Sequence, residues 1–229
     1  MNQEVTIFIF IGPPGSGKGT LADLCTKRFG WLQISTGNLC RKHIAEQTEI
    51  GKEIDLIIKS GKLINDDLIT SMVVDWLSEN AQEVSGIILD GYPRTVVQAR
   101  DFDNSLNALY PQAREKVVLF SIPDDVVINR LCRRFVCQNK DCQAIYSTLN
   151  DSQALLGQEK LFCKECGFVL GRRPDDEESS IKKRLVIYHK HKQDLIDYYS
   201  NQGTEFIEID ASKPLKEVFE SFLQNVEEK

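Results

Sequence analysis

The chain has 229 residues, 41% apolar and 27% charged, with a formal net charge of −6. That size and balance suit one α/β domain with a sizeable core and room for an insertion. The acidic balance argues against non-specific binding to nucleic acid or an anionic membrane, the first twelve residues lack the basic start of a signal peptide, and nothing approaches a membrane span, so a soluble cytoplasmic protein is expected.

Residues 5–11 form an apolar run that reads as a buried strand. They lead into Gly12-Pro13-Pro14-Gly15-Ser16-Gly17-Lys18-Gly19-Thr20, and residues 18–29 have helical spacing. Strand, glycine loop and helix with a lysine at the loop's end is the arrangement that wraps the phosphates of a nucleotide. Glycines let successive backbone N–H groups turn toward one anion. The helix aims its positive end there, and Lys18 adds a mobile cation. The general motif places Ser or Thr directly after the lysine. Here Gly19 takes that place and Thr20 follows, which argues against an ordinary GTPase or motor-type ATPase.

Further along, 31–34 reads as a weaker strand, and 36–47, 51–59 and 66–80 as helices. A strand at 87–89, a helix at 96–109, a strand at 117–122 and a helix at 124–135 follow. After an interruption come a helix at 177–200, a strand at 206–209 and a last helix at 215–226. Asp66 and Asp124 are placed as N-caps. This alternation predicts a parallel sheet covered by helices on both faces, with ligands beyond the carboxyl ends of the strands.

Residues 136–172 break the rhythm and hold four of the seven cysteines, as Cys137-x4-Cys142 and Cys163-x2-Cys166. Two close pairs separated by a hairpin-sized stretch suit a tetrahedral zinc site. Four thiolates leave no open coordination position, so the metal is structural rather than catalytic. A zinc ribbon could bind nucleic acid, but the acidic balance opposes that. Cys25, Cys40 and Cys132 read as buried or half-buried packing residues.

Asp90 ends the strand at 87–89, where a carboxylate can hold the waters of a magnesium ion. Arg94 follows a proline in the next loop. Arg130 and Arg134, four residues apart on the predicted helix, lead into the cysteine insertion. Arg173 leaves it and Arg184 lies on the returning helix. Cations at such positions suit a site that neutralises several phosphates while excluding water. Arg100, Arg114 and Arg172 read as solvated.

With these residues assembled, the chain resembles the adenylate kinases of the long, zinc-lid type, within the nucleoside monophosphate kinases. The resemblance covers residues 5 to about 225 and rests on seven stretches: 12–20, Ile-Ser-Thr-Gly-Asn-Leu-Cys-Arg at 34–41, Gly-Lys-Leu-Ile-Asn-Asp-Asp-Leu-Ile at 61–69, Asp-Gly-Tyr-Pro-Arg-Thr at 90–95 with Gln98, Arg-Leu-Cys-Arg-Arg at 130–134, the cysteine quartet, and Arg173-Pro174-Asp175-Asp176 with Arg184. It implies a three-layer P-loop fold on a five-stranded parallel sheet. A core of 1–135 and 173–229, with an AMP-binding region at 35–64, would carry a zinc-binding lid at 136–172.

The implied reaction is ATP + AMP ⇌ 2 ADP with magnesium, in a monomer whose partners are ATP, AMP and ADP. Gly15, Ser16, Gly17, Lys18, Gly19 and Thr20 would hold the ATP phosphates, with Arg130 over the ATP adenine. Arg41 and Arg94 would hold the AMP phosphate, and Thr36, Gln98, Gly91 and the backbone from Lys62 to Ile64 would line the AMP pocket. Arg134, Arg173 and Arg184 would clamp the transferring group, the last two also reaching AMP. Asp90 would serve magnesium through water.

Departures from the family pattern are Asn38 for Asp, Cys40 for Leu, Arg133 for Gly, Phe135 for a second Arg, and a first cysteine pair two residues longer. Asn38 is expected to loosen the AMP-side helix and Arg133 to slow lid closure. A kinase for CMP, UMP or GMP is the alternative within the same chemistry. A nucleotide-dependent switch is the third reading, since Asn139-Lys140-Asp141 superficially resembles a guanine-reading motif.

Overall fold

The computed structural model describes residues 5–59, 64–80, 84–147 and 161–227. Five parallel strands, β1 (Thr6–Ile11), β2 (Leu32–Ser35), β3 (Gly86–Asp90), β4 (Arg114–Ser121) and β8 (Glu205–Asp210), lie in the order β2-β3-β1-β4-β8. Between them run α1 (Lys18–Phe29), α2 (Thr36–Ala45), α3 (Glu49–Lys59), α4 (Asp66–Asn80), α5 (Val96–Leu109) and α6 (Asp124–Cys132). Then come α7 (Glu178–Asn201) and α8 (Leu215–Glu227). A second, three-stranded antiparallel sheet of β5 (Arg134–Cys137), β6 (Ile145–Ser147) and β7 (Leu170–Gly171) has β5 at its centre.

Side-chain alternation along β1 explains why its sequence is apolar without interruption. Ile7, Ile9 and Ile11 face one layer with Val73, Leu77, Phe102, Leu195 and Tyr199, from α4, α5 and α7. Phe8 and Phe10 face the other with Leu21, Cys25, Val218 and Phe222, from α1 and α8. A strand buried on both faces cannot show a polar period of two. Cys25 and Cys40 are buried and Cys132 half-buried, as expected of packing residues. Among the described residues, no helix is long and apolar enough to cross a membrane.

Three local expectations need correction. The helix predicted to reach residue 135 stops at Cys132, and Arg134 begins β5 instead. No glycine or proline marks that break; Arg133 makes it with φ −110° and ψ 6°, a negative φ that an arginine adopts without strain. The N-caps are also one residue earlier than placed. Asn65 Oδ1 accepts from the Asp67 N–H at 3.0 Å and the Asn65 carbonyl accepts from the Ile69 N–H at 3.2 Å, so Asn65 caps α4. Pro123 precedes α6, and Asp124 instead contacts His189 Nε2 at 2.9 Å across to α7.

At the end of the sheet away from the glycine loop, Glu115 of β4 meets Asp103 of α5. Tyr198 Oη and the Gln202 amide donate to Asp103 Oδ2 at 2.7 and 3.0 Å. Asp103 Oδ1 and Glu115 Oε1 are left with only a proton to share. Burial, reinforced by Asp103, pushes the Glu115 carboxyl up to about 8. The folded chain therefore holds a proton that the unfolded chain releases near its usual 4.5, so stability falls as pH rises from 4.5 toward 8. Glu115→Gln is expected to raise the melting temperature at pH 8.5 by about 3 °C or more and to leave it nearly unchanged at pH 4.5. Scanning calorimetry at the two pH values checks this.

Candidate active site

The glycine loop joins β1 to α1 at the carboxyl end of the central strand. Gly15 and Gly17 have φ of 76° and 94°, left-handed conformations that a Cβ would strain. Lys18, 9% exposed, donates from Nζ to the carbonyls of Gly12 and Pro13 at 2.9 Å each and to Ser16 Oγ at 3.4 Å. Burial lowers its pKa to about 8; Asp90 pulls it upward, while Arg94, Arg184 and Arg134 push it further down. A Cβ on Gly19 would stand 3.3 Å from Asp90 Oδ2. The absent side chain thus lets Asp90 lie against the loop. Asp90 ends β3 in register with Phe10 and Ser35.

A second group of residues lies beyond β3. Thr36 Oγ1 donates to the Gly91 carbonyl at 3.1 Å, tying α2 to the loop after β3. Arg94 Nε donates to the same carbonyl at 2.7 Å, and the Arg94 N–H donates to Gln98 Oε1 at 2.7 Å. Gln98 is buried. Ile64 packs against the cluster of Cys40, Ile54 and Met72, while Lys62 and Leu63 lie outside the described residues.

Arginines close the other side. Arg134 makes a two-pronged contact to Asp176, Nη2 at 2.6 Å and Nε at 2.8 Å. Arg184 Nη1 lies 2.8 Å from Asp175 Oδ2 and 3.7 Å from Asp176 Oδ1. Burial would raise the Asp175 carboxyl, but Arg184, Arg134, Arg173 and Arg41 outweigh it and hold it below the usual range. Arg173 has a buried Nε with no acceptor. Burial, then Arg134 and Arg41, push its pKa down. Burial does the same to Arg41 and Arg184. Lys18, Arg41, Arg94, Arg134, Arg173 and Arg184 are therefore linked by a chain of electrostatic contacts through Arg134 and Arg184, with Asp90, Asp175 and Asp176 as the counter-charges. Such concentrated positive charge suits a polyanion. Arg130 stands apart, its Nη2 donating to the Ser212 carbonyl after β8 at 3.3 Å.

Cys137, Cys142, Cys163 and Cys166 bring their sulfurs within 4.8 Å of one another, at 3.4 Å for Cys137–Cys166 and 3.7 Å for Cys142–Cys163. Sulfurs about 2.3 Å from a tetrahedral zinc stand roughly 3.8 Å apart, so the donor set and its spacing fit that metal. The cysteine module reaches α2. Gln143 Oε1 accepts from Arg41 Nε at 3.4 Å, and Lys140 Nζ lies 3.7 Å from Glu46 Oε1. Asn139-Lys140-Asp141 is a turn of the cysteine module, with the Asp141 N–H on Asn139 Oδ1 at 3.1 Å.

Sequence reasoning gave no role to Asp175, Asp176 or Gln143; the acids directly after Arg173-Pro174 were the available signal. Asn38, expected to loosen α2, has its Oδ1 accepting from Arg41 Nη2 one turn further along the same helix. Phe135 lies under the exposed Arg172, 5.3 Å from ring centre to guanidinium.

Comparison with known proteins decides the family. The family model described as "Adenylate kinase" matches residues 10–204. The chain belongs to the adenylate kinase family. It is 36% identical over 219 residues to the adenylate kinase of Kosmotoga olearia, covering 96% of this chain and 98% of that one. The adenylate kinase of Caldicellulosiruptor bescii is 37% identical over 85% of this chain and 87% of its own, and that of Thermotoga neapolitana 39% identical over 85% and 86%. The glycine loop and the four-cysteine module both fall inside the region that the adenylate kinase family model matches.

Proposed function

We propose that the chain catalyses reversible phosphoryl transfer from magnesium ATP to AMP, giving two ADP. The convergence of Lys18 with Arg41, Arg94, Arg134, Arg173 and Arg184 supports this reading most. Two nucleotides meeting end to end bring several phosphates to one place, and one phosphate loop does not need five arginines.

In this reading, Gly15 to Thr20 cradle the ATP phosphates through backbone N–H groups, and Lys18 exchanges its contacts with the loop carbonyls for phosphate oxygens. Arg130 covers the ATP adenine. Thr36, Ile64, Gly91 and Gln98 line the AMP pocket, with Arg41 and Arg94 on its phosphate. Arg134, Arg173 and Arg184 hold the transferring group in line and neutralise its equatorial oxygens. No covalent intermediate or dedicated base is required, since positioning and charge carry this chemistry. Magnesium, held through water by Asp90, would supply further neutralisation. Zinc on the four cysteines would supply folding energy to a lid at 136–172, which would close on a core of 1–135 and 173–229 and exclude water from the transfer. Family likeness supports a cytoplasmic monomer, which light scattering tests for the oligomeric state.

The test is a coupled assay offering ATP with AMP, CMP, UMP and GMP in turn. AMP-dependent turnover at least about tenfold above the others is expected. Preference for another monophosphate replaces AMP in the reading, and slow hydrolysis of ATP with no second nucleotide required sinks it.

A further inference from the structure

Asp66 opens α4 and joins two elements that the sequence treats separately. Its Oδ2 accepts from Thr95 Oγ1 at 2.8 Å and its Oδ1 accepts from Gln98 Nε2 at 2.8 Å. The other end of the Gln98 amide accepts from the Arg94 N–H at 2.7 Å. Thr95 Oγ1, which donates to Asp66, accepts in turn from the Gln98 N–H at 3.1 Å. Tyr92 Oη donates to the Gln98 carbonyl at 3.2 Å from within the core. Gln98 is 4% exposed, so these contacts are poorly replaced by solvent.

An amide side chain has two faces that differ only by a half-turn, and its neighbours decide which is present. A carboxylate only accepts and a backbone N–H only donates. With Asp66 on one side and the Arg94 N–H on the other, a single orientation of Gln98 satisfies both; the reversed amide would set oxygen against oxygen and N–H against N–H. Gln98 retains one N–H and one lone pair for a ligand, in a fixed order. Adenine offers an acceptor at N1 beside a donor at its 6-amino group. Hypoxanthine and guanine offer the reverse, a donor at N1 beside an acceptor at O6. A freely turning amide would suit both orders, and a locked one suits a single order.

We propose that Asp66 is a positioning residue that locks the Gln98 amide and thereby makes the monophosphate pocket select a 6-aminopurine over a 6-oxopurine. This rests on the reading of Gln98 as a base contact. Asp66 itself touches no substrate. The lock costs nothing at the reacting phosphates, so its effect belongs to the monophosphate's KM and to base choice.

The experiment measures kcat and KM for AMP, for IMP as the 6-oxopurine probe and for ATP, in the parent, Gln98→Ala and the isosteric Asp66→Asn, with melting temperatures for all three. Asp66→Asn is expected to raise KM for AMP about tenfold and to lower the AMP-to-IMP ratio of kcat/KM about tenfold, with KM for ATP within about twofold of the parent. Gln98→Ala is expected to lose the same ratio. If Gln98→Ala keeps the ratio, the base is read elsewhere and the underlying reading fails together with the lock. If Gln98→Ala loses it and Asp66→Asn keeps it, Gln98 reads the base and Asp66 does not orient it. A drop in melting temperature with AMP, IMP and ATP affected alike makes Asp66 a structural tie only and overturns the proposal.

Discussion

Arg173→Ala is expected to lower kcat by about 10³-fold while leaving the melting temperature unchanged or higher. Both effects have one origin. The Arg173 guanidinium is largely buried beside Arg134 and Arg41, and its Nε finds no acceptor. Desolvating a charge without a full set of partners opposes folding. The nearest acids are committed elsewhere, Asp176 to Arg134 and Asp175 to Arg184. What is a liability for the fold is an asset for transfer, because a partly desolvated guanidinium with an unpaired Nε–H is available when a phosphoryl group needs it. Arg173→Lys is expected to recover only part of the rate, since an ammonium cannot reproduce the planar fork. Stopped assays and calorimetry on the same preparations check both halves. A melting temperature lower by several degrees with kcat preserved would make Arg173 a structural residue.

Cys163→Ser is expected to weaken zinc binding at least about 10²-fold and to melt the cysteine module without melting the sheet. The physical reason is segregation of the cores. Among the described residues, the module's core is Cys137, Tyr146, Cys163 and Leu170, with Phe135, Cys142, Ala144 and Leu161 at its margin. It shares no residue with the clusters on the two faces of the parallel sheet. The core of a module this small is rarely self-sufficient, so a metal on the four thiolates would be the main source of its stability. Loss of the module removes Arg134 and Arg173 from their positions at its base, so kcat is expected to fall at least about tenfold. Zinc content by atomic absorption, with thermal melting followed in the variant, checks the outcome. A variant that keeps stoichiometric zinc, or that unfolds in a single transition with the sheet, contradicts it.

Much of the fold is legible in the chain because its cues are local. The run into Ile11 followed by three glycines and Lys18 marks strand, loop and helix with no help from distant residues. The cysteine pairs name their own chemistry through spacing. The end of α6 was not legible: residues 133–135 carry no breaker, and β5 forms there because it pairs with β6 and with the distant β7, where Val136 meets Gly171. The cap of α4 was misplaced by one residue because Asn65 and Asp66 both suit an N-cap in isolation. Asp66 is excluded by its engagement with Thr95 and Gln98 of α5 and its approach.

The sequence by itself determined that this chain handles nucleoside phosphates, that its sheet is parallel, and that four thiolates gather in an inserted module. Each of those follows from composition, spacing and pattern along the chain, which hold whatever the distant contacts turn out to be. Only the tertiary structure decided which acid restrains which arginine, that Gln143 meets Arg41 across 102 positions of chain, and which way Gln98 faces. Those pairings depend on where helices and strands come to rest, and that is set by burial of the shared apolar faces and not by spacing along the chain.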